Sequence, residues 1–189
     1  SSKPVQEMDA VIAQAVMACE IMSRERVGAL MVFAREQRLE EYFKTGTQID
    51  GQVSEQLIRN IFFPKASLHD GAMIIRDGRI AAAGCVLPLS DSVRLSADLG
   101  TRHRAGVGMS EASDAVVVIV SEETGTISVA IGANRIVPAM GIPHPLGDPK
   151  QTPEKSKAIR RRLIVRALKT LLTPVDGQTV FEEDLDVEF

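Results

Sequence analysis

Three short stretches of this chain carry the residue types that bond chemistry needs. The first is His69-Asp70-Gly71-Ala72, where a loop runs into a predicted strand. An imidazole beside a carboxylate can bind or neighbour a divalent metal, and the glycine lets the backbone approach a ligand closely. Read alone, the same tetrapeptide is also a plain turn capped by Asp70. The second, Gly100-Thr101-Arg102-His103-Arg104, falls at a predicted helix start, with Thr101 as the expected cap. Free backbone N–H groups, a hydroxyl and two guanidiniums suit a polyphosphate. An anion there would also relieve the conflict between cationic side chains and the positive end of the helix dipole. A solvated basic turn is the alternative. The third, Ser121-Glu122-Glu123, follows the most apolar strand. Its carboxylates can hold Mg²⁺ or Mn²⁺ through oxygen, or simply form a polar hairpin turn. In combination, a metal-binding group, a phosphate group and a further carboxylate at element ends add up to a nucleotide–metal site.

Other chemistries lack their motifs. There is no G-x-x-x-x-G-K-[ST], and Gly106-Val107-Gly108 has neither the third glycine nor the preceding strand of a dinucleotide fingerprint. Ser110 follows Gly108-Met109 but precedes Glu111-Ala112, so it is no hydrolase elbow. His144, inside His-Pro-Leu-Gly, reads as a loop residue.

The elements that must position these residues follow from periodicity. Val5, Met8, Ile12, Ala15, Val16, Cys19 and Met22 recur at helical steps, which predicts an amphipathic helix from Val5 to Arg26. Val27–Phe33 is a continuous apolar run of strand length. Thr45-Gly46-Thr47 and Asp50-Gly51 punctuate a loop, and Ser54 opens a helix stopped by Pro64. Ala72–Arg76 and Arg79–Leu87 read as antiparallel strands joined by Asp77-Gly78, a strong hairpin signal. Pro88–Asp98 is loop-like, the helix from Thr101 ends before Ser113-Asp114, and Ala115–Ser121 and Thr126–Ile131 are two further strands. Hairpins mixed with helical connections predict an α/β fold, a single globular domain with a central mixed β-sheet flanked by α-helices.

After Ile136 the character changes. Pro138, Pro143, Pro145, Pro149 and Pro153 form a proline-rich connection. A helix beginning at Pro153-Glu154 follows, with an Ile159, Leu163, Ala167, Leu171 stripe and many lysines and arginines, and then an acidic tail. The division is therefore residues 1–136 as the functional domain and 137–189 as an extension of it.

Composition narrows the function. The chain has 189 residues, enough for one domain with a sizeable core. Lys and Arg number 22 against 25 Asp and Glu, a net charge of −3, and aromatics are 4%, which disfavours a nucleic-acid binder. Cys19 and Cys85 sit in apolar runs and read as small buried hydrophobes of a reducing compartment. No signal peptide or membrane-length apolar run is visible.

Several segments resemble one family, the bacterial diadenylate cyclases, which condense two ATP into cyclic di-AMP. The matching text is Leu68-His69-Asp70-Gly71-Ala72, Ala81–Ser90, Gly100-Thr101-Arg102-His103-Arg104-Ala105, Ser110–Ala115 and Val120-Ser121-Glu122-Glu123-Thr124-Gly125, in the family's order and spacing. Similarity runs from about Val5 to Ile136 and stops there. The resemblance implies one ATP per subunit and a head-to-head dimer. By it, Asp70 activates the ribose 3′-OH, while His69 and Glu123 hold a divalent metal, Mn²⁺, Mg²⁺ or Co²⁺. Thr101, Arg102, His103, Arg104, Ser121 and Glu122 surround the phosphates, and Gly71, Ala72 and Leu87 the nucleoside. The likeness is greatest to the membrane-anchored type, which implies a cytoplasmic domain, transmembrane segments preceding Ser1, and as partners a membrane regulator and a phosphoglucosamine mutase. The alternatives are a catalytically silent nucleotide-binding regulatory module, and a lipid- or nucleic-acid-binding module built on the basic helix.

Overall fold

The computed structural model describes residues 3–91, 100–132 and 135–137, with Val165 and Leu168. The chain begins with helix α1 (Lys3–Glu25), then strand β1 (Ala29–Phe33), a short helix α2 (Glu40–Phe43), strand β2 (Thr47–Gln52) and helix α3 (Glu55–Ile61). Strands β3 (Ala72–Arg76) and β4 (Arg79–Cys85), helix α4 (Thr101–Ala112), and strands β5 (Val116–Val120), β6 (Ile127–Ile131) and β7 (Arg135–Val137) follow. Among the described residues the seven strands form one sheet in the order β2-β4-β3-β1-β5-β6-β7. Only β1 and β3 run parallel, so the sheet is mixed, as expected.

The unbroken apolar runs have a simple cause: the central strands are covered on both faces. Along β1, Ala29, Met31 and Phe33 join a core with α1 and α3, while Leu30 and Val32 join the other core with α2 and α4. β5 divides likewise, Val116, Val118 and Val120 to the first core and Val117 and Ile119 to the second. On α1 the predicted stripe is the buried one, from Ile12 through Ala15, Val16 and Cys19 to Met22. Ser54 Oγ accepts the Leu57 N–H at 3.1 Å and starts α3. Asp77 and Gly78, with φ 51° and 73°, make the two-residue turn between β3 and β4.

Three expectations need correction. The segment with Thr45-Gly46-Thr47 and Asp50-Gly51 is edge strand β2 rather than a loop; its register shifts between Gln48 and Gly51, and Asp50 has φ 51°, so a bulge accounts for the turn-like residues. The strand begun at Arg79 stops at Cys85, not Leu87. Thr101 is the first helical residue of α4, and Gly100 is the N-cap without any side-chain cap bond. Both cysteines are free and buried, and burial pushes the Cys19 thiol up to about 12 and the Cys85 thiol up to about 11. The proline-rich connection, most of the basic helix and the acidic tail lie outside the described residues. Within that stretch, Val165 and Leu168 are helical, and Leu168 is buried in the core shared with α1.

Candidate functional site

Strand register brings the three stretches to one end of the sheet. β1 and β3 are parallel with Met31 opposite Met73, so their first residues lie side by side. β5 runs against β1 with Val120 opposite Ala29, and β4 runs against β3 with Cys85 opposite Ala72. The starts of β1 and β3 and the finishes of β4 and β5 therefore share an edge. Four adjacent strands span three gaps, roughly 14 Å at about 4.8 Å each. Leu87, His69-Asp70-Gly71, Gly28 and Ser121-Glu122-Glu123 are strung along it in that order.

Gly71 enters β3 at φ 89°, and a Cβ there would stand 2.6 Å from the Cys85 carbonyl oxygen. Only glycine allows this close turn. It leaves the Asp70 side chain 87% exposed, next to His69. His69 Nδ1 lies 2.7 Å from the Ala66 carbonyl oxygen, which can only accept, so the neutral ring carries its proton on Nδ1. Nε2 then presents a lone pair, 3.4 Å from Asp70 Oδ1. Two donors each about 2.1 Å from a shared cation stand about 3.0–3.4 Å apart at octahedral to tetrahedral angles, so this pair fits a divalent metal. Among the described residues no third His, Cys, Asp or Glu joins them in a cluster. Glu123 lies instead within electrostatic reach of His103.

The first turn of α4 has no acidic residue and presents Arg102, His103 and Arg104, all partly buried. His103 and Arg104 donate their N–H groups to the Gly100 carbonyl, at 3.1 and 3.2 Å. Arg102 Nη1 approaches Glu122 Oε2 at 3.3 Å, while its buried Nε has no acceptor among the described residues. Burial first, then the Arg102 charge, holds the His103 imidazole below its usual range against the opposing pull of Glu123. The turn itself carries two guanidiniums and no carboxylate, a composition that suits an anion, and its countercharges, Glu122 and Glu123, come from the turn after β5.

Ser121-Glu122-Glu123 does form a tight turn between β5 and β6, so the plain reading of that tripeptide also holds. Ser121 Oγ accepts the N–H groups of Glu123 and Thr124 at 3.2 and 3.3 Å, which leaves its own proton to donate. Glu122 and Glu123 are exposed. Leu87 is buried and Ala72 wholly so; the latter adjoins the site without offering it surface.

Two features had no sequence signal. Gly28 adjoins the Arg102 guanidinium. The segment after β4 is strapped to α4: the Ser90 N–H donates to the Arg104 carbonyl at 3.0 Å, and the Ser90 hydroxyl donates to Glu111 Oε1 at 2.8 Å. Gly108 permits the approach, since a Cβ there would fall on the Pro88 carbonyl.

Residues 16–135 match the family described as DisA bacterial checkpoint controller nucleotide-binding. The chain is 47% identical over 131 residues to the cyclic di-AMP synthase CdaA of Bacillus subtilis, covering 69% of this chain and 48% of that protein. It is 44% identical to a diadenylate cyclase of Listeria monocytogenes, with the same coverage. Thus the chain spans about half the length of these curated relatives. A solved structure of DacA from Staphylococcus aureus, a double mutant, superposes with a TM-score of 0.67 at 48% identity, covering 69% of this chain and 88% of that one. A hypothetical membrane spanning protein from Bacillus cereus gives 0.62 at 39% identity, covering 65% and 60%. Among the described residues of this chain, no helix is long and apolar enough to cross a membrane. The match contains His69-Asp70-Gly71, the Arg-His-Arg turn and Ser121-Glu122-Glu123, and the chain belongs to this family of nucleotide-binding domains.

Proposed function

We propose that this chain is the catalytic part of a diadenylate cyclase, joining two ATP into cyclic di-AMP and releasing two pyrophosphates. What carries the reading is the meeting of an exposed Asp70 and the Arg102-His103-Arg104 turn at one end of the sheet, in a chain whose relatives are named for this activity. Asp70 takes the proton of a ribose 3′-hydroxyl as that oxygen bonds to the α-phosphorus of the facing ATP. The bond from that phosphorus to the β-phosphate oxygen breaks, and pyrophosphate leaves. Arg102, Arg104, the first N–H groups of α4 and the Ser121 hydroxyl take up the negative charge of the triphosphate. Neutral His103 donates a hydrogen bond there. Glu122 gives up Arg102 as the phosphates arrive. His69, with Asp70 beside it, would hold a divalent cation, Mn²⁺, Mg²⁺ or Co²⁺, whose charge lowers the cost of forming the attacking alkoxide; Glu123, the second ligand the family resemblance implies, stands by His103 instead.

Each 3′-hydroxyl must reach the other nucleotide, so two sites face each other across a two-fold axis. In the full-length protein this domain would be held at the bacterial membrane by segments outside this sequence. The test is incubation of the purified chain with ATP and each metal at several protein concentrations, with products read by mass. Cyclic di-AMP and pyrophosphate are expected, at a rate per subunit that rises with concentration. ATP binding without either product leaves a silent nucleotide-binding module instead.

A further inference from the structure

Arg102 lies against a gap in the backbone. Its guanidinium sits across Gly28, the buried residue that leads into β1. A Cβ built at Gly28 would fall on Arg102 Nη1, 2.6 Å from Cζ and 3.1 Å from Nε, and these are its three nearest atoms. Gly28 is not among the left-handed glycines Gly71, Gly78, Gly84, Gly125 and Gly132, so its φ does not require glycine. Nor does rigid packing, which distinguishes it from Gly106, where a Cβ would stand 2.8 Å from Ile119 Cδ1 inside the core. The missing side chain makes room for the guanidinium.

We propose that Gly28 is a positioning residue for the phosphate end of the site. Its bare backbone lets the Arg102 guanidinium lie against the entry to β1, with Nη1 toward Glu122 and the turn after β5. A β-carbon at Gly28 displaces the end of a flexible side chain rather than backbone, so the fold survives while the guanidinium moves off its aim. The inference rests on the nucleotide reading above and assigns that reading one further residue.

A double-mutant cycle on the full chain tests it, with Gly28→Ala, Arg102→Ala and the pair. The readouts are calorimetric affinity for ATP and for adenosine, KM and kcat for ATP, and the thermal midpoint. Gly28→Ala is expected to weaken ATP binding and raise KM about ten- to a hundredfold, the worth of one charge-assisted hydrogen bond. Adenosine affinity and the thermal midpoint stay unchanged. Once Arg102 is alanine, adding Gly28→Ala changes ATP affinity by less than about twofold. Additive losses, equal loss of ATP and adenosine, or a Gly28→Ala chain that does not fold would each overturn the role, since each places the purpose of the glycine in the fold. If Arg102→Ala leaves ATP affinity intact, the phosphate reading itself falls. If Arg102→Ala weakens ATP binding and Gly28→Ala does not, that reading stands and this inference fails.

Discussion

The two ends of the sheet use the same side chains for opposite purposes. At the end with the β3–β4 turn, charges find each other: Arg38 holds both oxygens of Asp77 at 3.2 and 2.8 Å, Arg76 meets Glu40 at 2.9 Å, and Arg79 meets Asp50 at 2.6 Å. Arg76 also lies 4.7 Å above the Phe43 ring, and Asp114 accepts the N–H groups of Glu36 and Gln37. At the other end Asp70 is 87% exposed and has His69 at 3.4 Å, and Arg102 keeps a buried Nε with no hydrogen-bond acceptor among the described residues. Paired charges secure loops; the incompletely paired ones are those the proposed nucleotide would engage.

The sharpest way to break this contrast is Asp70→Asn. Turnover should fall about 10²–10⁴-fold, the usual worth of a general base, while calorimetry still detects ATP binding. Equal loss of both would make Asp70 a binding residue. Arg102→Ala or His103→Ala should weaken ATP binding and rate together, by about ten- to a hundredfold, because ground-state phosphates are already charged. Unchanged affinity in both would remove the phosphates from this turn.

Acidity should separate the two ends more gently. His103 in the folded chain is held below the ordinary 6.5, so the unfolded chain binds the proton first. Its contribution to stability is present above about 6.5 and is lost as pH falls through the depressed value. A bound triphosphate pulls the imidazole the other way, so ATP binding should take up protons just below 6.5, seen by calorimetry in buffers of different ionisation enthalpy. Proton release, or uptake that persists in His103→Ala, would contradict this. The smallest effect belongs to the far end: Arg38→Ala, in an exposed pair, should leave turnover unchanged and lower the thermal midpoint by no more than about 2 °C. A large loss of activity would show that the ends are coupled.

The hairpin at Asp77-Gly78 and the two-faced strands β1 and β5 were legible because local patterns alone specify them. β2 was not: a bulge at an edge writes Asp50-Gly51 into the sequence just as a loop would. Helix α2, at four residues, is shorter than any periodicity can register. For the site, residue types were legible, but their meeting was not derivable from spacing. Asp70 and Glu122 become neighbours across β1 only through the parallel β1–β3 and antiparallel β1–β5 registers. Gly28 was silent because an ordinary backbone angle gives a glycine no signature, and the guanidinium beside it arrives from 74 positions later.

The strap from Pro88 to Ser90 sets a fixed gauge. It is bonded to the Arg104 carbonyl and to Glu111, and seated against Gly108, so the backbone just after Leu87 is tied to the first turn of α4. For the nucleotide proposed above, such a caliper favours a molecule long enough to reach from one jaw to the other.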